Sequence, residues 1–229
     1  MATLLLRLAG PLQAWGAESK FEQRRTLGYP TKSGVIGMLA AALGLSRDES
    51  PEKLNALRFG IRIDREGEYL RDYHTAHGRA DKEAYITERY YLADAVFLVG
   101  LESDDTAWLK EIEYAFRHPV YPLYLGRRAC PPTMPLICGI RNTGLLTALQ
   151  EEPWLLAEWR QKRSSESERK LRIMTDADSP NGAAPLRDLA LSYSQKHRQH
   201  VWRLVKEHPY VQIQCAENDT VHDAFSEAG

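Results

Sequence analysis

The stretch YLGRRACPPT, Tyr124 to Thr133, sets two arginines side by side behind a glycine and ahead of two prolines. Gly126 permits a turn with positive φ or a close backbone approach, and Pro131-Pro132 stiffens the exit. Two guanidiniums on a stiff loop, Arg127 and Arg128, suit phosphate clamping or stacking on bases, with Tyr124 in the same stretch. Alternatively, one arginine is solvated and the other ion-paired. A loop bounded by Gly and Pro does not need its arginines for packing, so their removal is expected to leave folding nearly unchanged. A second group is TKSG, Thr31 to Gly34. Free N–H groups at a helix start, the helix dipole and Lys32 beside Ser33 make a general phosphate site, or else a simple capped helix. Lys20, Arg24 and Arg25 stand just upstream.

The third group is RDYHTAHGR, Arg71 to Arg79. Tyr73 and His74 could stack on unpaired bases while Arg71 and Arg79 hold the backbone. With His77 and Lys82 the same segment fits a metal-free ribonuclease, in which a His or Lys moves protons during attack by a 2′-hydroxyl. It also fits a polar arm packed on a neighbouring protein. The fourth group, KHRQHVWR from Lys196 to Arg203, mixes basic and aromatic residues and reads equally as a solvated strand edge.

Other chemistries find little support. The three cysteines (Cys130, Cys138, Cys215) are odd in number with no CxxC pair, which argues against a disulfide framework and a zinc site. His74 and His77 have no carboxylate or Cys at a metal-ligand spacing. The chain contains no Walker loop, GxSxG or HExxH, so no cofactor or metal is expected. It has no apolar run of membrane-spanning length, and MATLLLRLAG is too short and too charged for a signal peptide, so a cytoplasmic location is expected. The formal net charge is −1, yet the charge is segregated. Residues 1–45 carry five cations against two acids, 120–148 three cations and no acid, and 187–206 five cations against one acid. Residues 46–119 are acidic, with eleven cations against sixteen acids. Such a chain can turn a basic face to an anionic polymer and another face to proteins.

The elements that must position these groups follow from periodicity. TLLLRLA alternates as a strand until Gly10-Pro11. Residues 12–30 read as a long loop. PTKSGVIGMLAAALGL is a helix capped by Thr31 or Ser33, with Val35, Ile36, Leu39, Ala40 and Leu43 on one face. Gly34 and Gly37 weaken its first turn by roughly 1 kcal/mol each, which suggests that something approaches the helix start closely. SPEKLNAL is a short helix, RFGIRID a half-buried strand, and residues 66–94 a long hairpin or arm. AVFLVGLES is apolar on both faces, hence a central strand. DDTAWLKEIEYAFRHP is a helix capped by Asp104 or Asp105, with Trp108, Ile112, Ala115 and Phe116 inward, and MPLICGI is the strand beyond the arginine loop. The order is close to the βαββαβ of a ferredoxin-like fold with an inserted arm. Beyond residue 150 the pattern decays, with HVWRLVKEH and YVQIQC as candidate late strands.

RLAGPLQAWG (7–16), FEQRRT with YPTKSGVIGMLAAALGL (21–45), LRDYHTAHGR (70–79) and PLYLGRRACPPTMPL (122–136) together resemble the CasD family of the RAMP superfamily. These are the subunits of type I-E CRISPR Cascade that cap the 5′ handle of the guide RNA. The resemblance covers about the first 140 residues. It implies an α+β, ferredoxin-like and RRM-related domain over 1–150 with a β-hairpin thumb near 66–94, and a partly irregular C-terminal extension over 151–229. It implies binding of the crRNA 5′ handle, docking on the backbone RAMP subunits and the large PAM-reading subunit, and contact with target DNA only through the complex. The RNA would lie on Lys20, Arg24, Arg25, Lys32, Ser33, Arg71, Tyr73, His74, Tyr124, Arg127 and Arg128. Because a different RAMP protein cuts the precursor in such systems, the chain is expected to be non-catalytic. A metal-independent endoribonuclease acting on CRISPR repeat RNA is the alternative, and a purely structural assembly subunit is another.

Overall fold

The computed structural model describes residues 1–16, 23–77, 84–157, 161 and 168–214. The long elements begin with strand β1 (Ala2–Ala9). Four two-residue strands follow, β2 (Leu12–Gln13), β3 (Trp15–Gly16), β4 (Gln23–Arg24) and β5 (Thr26–Leu27). Helix α1 (Lys32–Leu43), the single turn α2 (Glu52–Asn55) and β6 (Arg58–Arg65) precede the hairpin strands β7 (Glu68–His77) and β8 (Ala84–Ala93). The chain continues through β9 (Val96–Ser103), α3 (Thr106–Arg117), β10 (Ile137–Arg141), α4 (Leu145–Glu151), β11 (Glu168–Asp176), β12 (Ala183–Ser192) and β13 (Gln199–Gln214).

One antiparallel sheet organises the molecule, in the order β10-β1-β9-β6-β11-β13-β12. It runs past residue 150 without a break, because β11 pairs with β6 (Ile173 opposite Arg62). The two expected late strands are a single sixteen-residue strand, β13. Its Pro209, which cannot donate to a ladder, falls where the register slips between Leu171–Val211 and Ile173–His208.

Alternation along β1 sends Leu4, Leu6 and Leu8 to one face, where they join Val35, Ile36 and Leu39 of α1 and Leu109, Ile112 and Phe116 of α3 in the main core. Leu5 points the other way and meets Leu98, Ile173 and the α4 residues Leu145 and Leu149. The central strand β9 is therefore buried on both faces, as its unbroken apolar run requires. The inward face of α3 is Leu109, Ile112, Ala115 and Phe116; Trp108 is only half-buried, and the Lys53 ammonium lies 3.7 Å from its ring centre. Thr31 caps α1, its hydroxyl accepting from the Gly34 N–H at 3.2 Å, and Asp105 caps α3. Under α4, Arg62 is fully buried. It donates to both Asp64 oxygens and to the carbonyls of Leu149, Glu152 and Pro153, closing the helix end with charge. Among the described residues no helix is long and apolar enough to cross a membrane.

Candidate nucleic-acid interface

The arginine loop is built from the inside. Leu125 and Cys130 are buried and turn inward. The Leu125 N–H donates to the Cys130 carbonyl at 2.7 Å, and the Cys130 N–H to the Arg127 carbonyl at 2.8 Å. Ala14 N–H donates to the Leu125 carbonyl at 3.1 Å, stitching the loop to the chain after β2. Gly126 has φ +81°, and a Cβ there would lie 1.7 Å from the Ala14 carbonyl oxygen. Only glycine satisfies both demands. Burial pushes the Cys130 thiol above its ordinary pKa, with the Arg127 charge opposing.

With those anchors inward, the two arginines part company. The Arg127 guanidinium donates to the Tyr90 carbonyl of β8 at 3.1 Å and the Arg24 carbonyl of β4 at 2.7 Å, and lies 4.8 Å from the Tyr91 ring centre. It is a strut joining the loop to the hairpin base. These contacts run against the expectation that folding is indifferent to Arg127. Arg128 is exposed and has no hydrogen-bond or ion-pair partner among the described residues.

Arg128 faces a groove of about 1020 Å³ between the arginine loop, α1 and the C-terminal strands. Tyr124 and Ser33 line it too, with Arg47, Tyr121, Arg187, Tyr193, Arg198 and His200. Four arginines and a histidine thus share one concavity, and among the described residues no carboxylate lines it. In a chain holding 30 cations against 31 acids, that segregation creates a local positive potential. Three tyrosines supply flat apolar surface beside it.

The helix start differs from the phosphate site expected of TKSG. Lys32 is buried, and its ammonium pairs with Asp176 at 2.8 Å. The Lys32 N–H donates to the Asp188 carboxylate at 2.8 Å, so an internal anion already occupies the positive end of α1. Arg203 completes the cluster, bonding Asp188 at 2.6 and 2.9 Å and Asp176 at 2.6 Å. Gly34 does mark a close approach, but of protein, whereas Gly37 is in ordinary van der Waals contact only. A Cβ on Gly34 would meet the Trp15 ring at 2.9 Å, and one on Gly37 the Tyr193 ring at 3.5 Å. Tyr193 donates to the Ser33 carbonyl at 2.6 Å, and burial raises its pKa well above the phenol value.

The remaining sequence candidates sit elsewhere. Arg71, Tyr73 and His74 lie exposed on β7, paired across to Tyr90, Glu88 and Thr87. Arg71 is ion-paired with Glu88, and His74 stands 3.8 Å from Asp72. Arg24 and Arg25 are exposed between the loop and the hairpin base, β4 pairing in parallel with β8. Lys20, Arg79 and Lys82 and the side chain of His77 lie outside the described residues. Arg47 and Arg187 fall in none of the sequence groups, whereas Arg198 and His200 belong to the fourth, KHRQHVWR, which reads equally as a solvated strand edge. The basic excess of residues 187–206 was the available signal for three of them. Among the described residues, no group of three or more His, Cys, Asp or Glu side chains is placed to hold a metal ion.

Comparison with known proteins follows the same lines. Residues 3–206 match the family described as CRISPR-associated protein (Cas_Cas5). The Cascade subunit CasD of the CRISPR system of Escherichia coli (strain K12) is 42% identical over 158 residues, which span 59% of this chain and 70% of that protein. Among solved structures, a chain of a CRISPR RNA-guided surveillance complex superposes with a TM-score of 0.79 at 31% identity, covering 95% of each chain. A crystal structure of a Cas protein superposes with a TM-score of 0.72 at 36% identity, covering 93% of this chain and 98% of the other.

Proposed function

The chain belongs to the CRISPR-associated Cas5 family, and from that membership together with the groove we propose that it is the subunit of a CRISPR RNA-guided surveillance complex that grips the 5′ handle of the guide RNA. The observation that carries the reading is the groove whose described lining holds four arginines and three tyrosines and no carboxylate. Guanidiniums hold phosphates in a forked geometry, while tyrosine faces accept splayed bases of any sequence. Arg128 clamps the handle backbone at one wall, and Arg24 and Arg25 extend the basic path towards the hairpin. Tyr73 and His74 act on the hairpin where the RNA leaves the groove.

In this reading the body is a ferredoxin-like RAMP domain and the β7–β8 hairpin its thumb. The support is the strand order β10-β1-β9-β6 with α1 and α3 packed on one face, and a ten-pair hairpin inserted between β6 and β9. The thumb and the acidic stretch 46–119 offer protein-facing surface for the backbone and large subunits. The subunit works in the cytoplasm and binds without cutting, since cleavage belongs to another component of the assembly.

Purification of a tagged chain from its host tests this directly. It should bring down a discrete small RNA with a repeat-derived 5′ end, together with larger subunits, and the isolated chain should leave cognate repeat RNA intact. Recovery without RNA would refute the binding role. A defined cut by the purified chain, lost in His77→Ala or Lys82→Ala, would refute the non-catalytic one.

A further inference from the structure

The β7–β8 hairpin leaves the body through two adjoining connections that are packed against each other. A Cβ on Gly67 would lie 2.8 Å from the Ala95 Cβ and 3.0 Å from the Leu92 Cβ, so the chain entering β7 lies directly on the chain leaving β8. Asp94 turns that second connection at φ +56°, a left-handed conformation that Asp adopts more readily than most residues. Its N–H donates to the Pro11 carbonyl at 3.1 Å, and β2 pairs Leu12 with Ala93. These contacts fix where the hairpin begins. Its direction needs a second point. Tyr73 is exposed on β7 opposite Glu88, and from Ala93 to Glu88 is five residues along β8. At about 3.4 Å per residue that is about 17 Å, so a tilt of about 10° at the base moves Tyr73 by about 3 Å.

Arg127 supplies the second point. Its two terminal nitrogens donate to carbonyls on different strands, Tyr90 of β8 at 3.1 Å and Arg24 of β4 at 2.7 Å. The guanidinium also lies 4.8 Å from the ring centre of Tyr91, which belongs to the main core. Behind it the loop has no room to give. The Arg127 carbonyl accepts from the Cys130 N–H, and a Cβ on Gly126 would collide with the Ala14 carbonyl. A planar fork reaches two strands at once; an ammonium is a single point.

We propose that Arg127 is a positioning residue for RNA: it sets the angle of the hairpin against the groove, so that Tyr73 meets the strand that Arg128 holds, without itself contacting the RNA. The proposal rests on the RNA reading given above. The two neighbouring arginines then serve one ligand by different routes, Arg128 through its charge and Arg127 through the hairpin.

The test has two readouts, both at a temperature where every variant is folded. The first needs no RNA. Spin labels are placed at Thr75→Cys on the hairpin and Lys110→Cys on α3, in the full chain carrying Cys138→Ala and Cys215→Ser, and their separation is measured by double electron–electron resonance. With Arg127 present the distance distribution should be narrow; in Arg127→Ala it should broaden or shift by about 4 Å, the displacement of Thr75 for the same tilt. Arg127→Lys, which keeps the charge and the stem but lacks the fork, should behave like Arg127→Ala. An unchanged distribution in both variants refutes the proposal whatever the RNA result. The second readout is a salt titration with a labelled single-stranded RNA of the host's CRISPR repeat. Tyr73→Ala should weaken binding at least fivefold in the wild-type background, as for a lost base stack, and hardly at all in Arg127→Ala. Arg127→Ala should leave the salt slope unchanged, whereas Arg128→Ala should flatten it by about 0.7 and combine additively with Tyr73→Ala. A flatter slope in Arg127→Ala, with the Tyr73 effect intact or with affinity restored by Lys, would mean that Arg127 touches RNA directly and would overturn the proposal. So would a Tyr73→Ala variant that binds like wild type while Arg128→Ala binds weakly, because the hairpin would then have no contact to position. If neither Arg128→Ala nor any other variant alters affinity or slope, the RNA reading itself fails.

Discussion

Replacing Arg127 and Arg128 one at a time separates two roles that lie next to each other in the chain. Arg127→Ala removes two hydrogen bonds to backbone carbonyls, at 3.1 and 2.7 Å, and a cation–π contact at 4.8 Å. Hydrogen bonds to charged groups are worth about 1.5–3 kcal/mol each. Arg127 is only half-buried, however, and water replaces much of what is lost, so about 0.5–1 kcal/mol per bond is appropriate. The ring contact adds about 0.5 kcal/mol at a solvent-accessible site. The sum is about 2 kcal/mol, equivalent to a melting shift of roughly 4–8 °C in a chain of this size. Arg128→Ala breaks no described hydrogen bond or ion pair and should melt within a degree or so of wild type, while flattening the salt dependence of RNA binding by about 0.7. Thermal melts and salt titrations of the two variants, run in parallel, read both quantities. An Arg128→Ala variant that melts as early as Arg127→Ala, or an Arg127→Ala variant that melts like wild type, would refute the division of labour.

Asp188→Ala should destabilise the fold by about 3 kcal/mol in denaturant titration, because it removes two charged hydrogen bonds of Arg203, leaving the one to Asp176, and leaves the Lys32 N–H without its carboxylate. Gly126→Ala should displace the arginine loop from Ala14, lowering the melting temperature and RNA affinity together, whereas Gly182→Ala, with open space around its Cβ, should leave RNA affinity unchanged. His200 and His208 both have pKa values lowered first by burial and then by neighbouring cations, so protonation favours the unfolded chain. Their contribution is complete above an unfolded pKa of about 6.5 and is lost as pH falls below it; urea midpoints should therefore drop between about pH 7 and pH 5.5, less so in a His200→Gln/His208→Gln variant.

Much of the scaffold was legible because its elements are long and periodic. The alternation in β1, the apolar run of β9 and the 3.6-residue spacing of α3 each carry their own signal, whereas α1 is apolar nearly all round, and Met38 and Ala42 are buried where Ala40 and Leu43 were expected to be. Helix α4 was missed, being seven residues with no side-chain cap, and the two-residue strands β2 to β5 exist only through their tertiary partners. The site was only half legible for a related reason. Sequence shows that Arg127 and Arg128 are both cationic; which one turns outward is decided by the inward packing of Leu125 and Cys130. Lys32 looked like a phosphate ligand until Asp176 and Asp188, more than 140 residues away, took its charge and its N–H. The side of the groove lined by the C-terminal strands is equally non-local, the Tyr193–Ser33 hydrogen bond spanning 160 residues.

Photocrosslinking of the guide RNA within the intact complex, followed by peptide mapping, tests the central claim most directly. Adducts from handle nucleotides should fall on this chain, at peptides containing Tyr124 and Tyr193, and should diminish when Arg128 is replaced by Ala. Handle adducts confined to other subunits, with this chain unmarked at both tyrosines, would contradict the account.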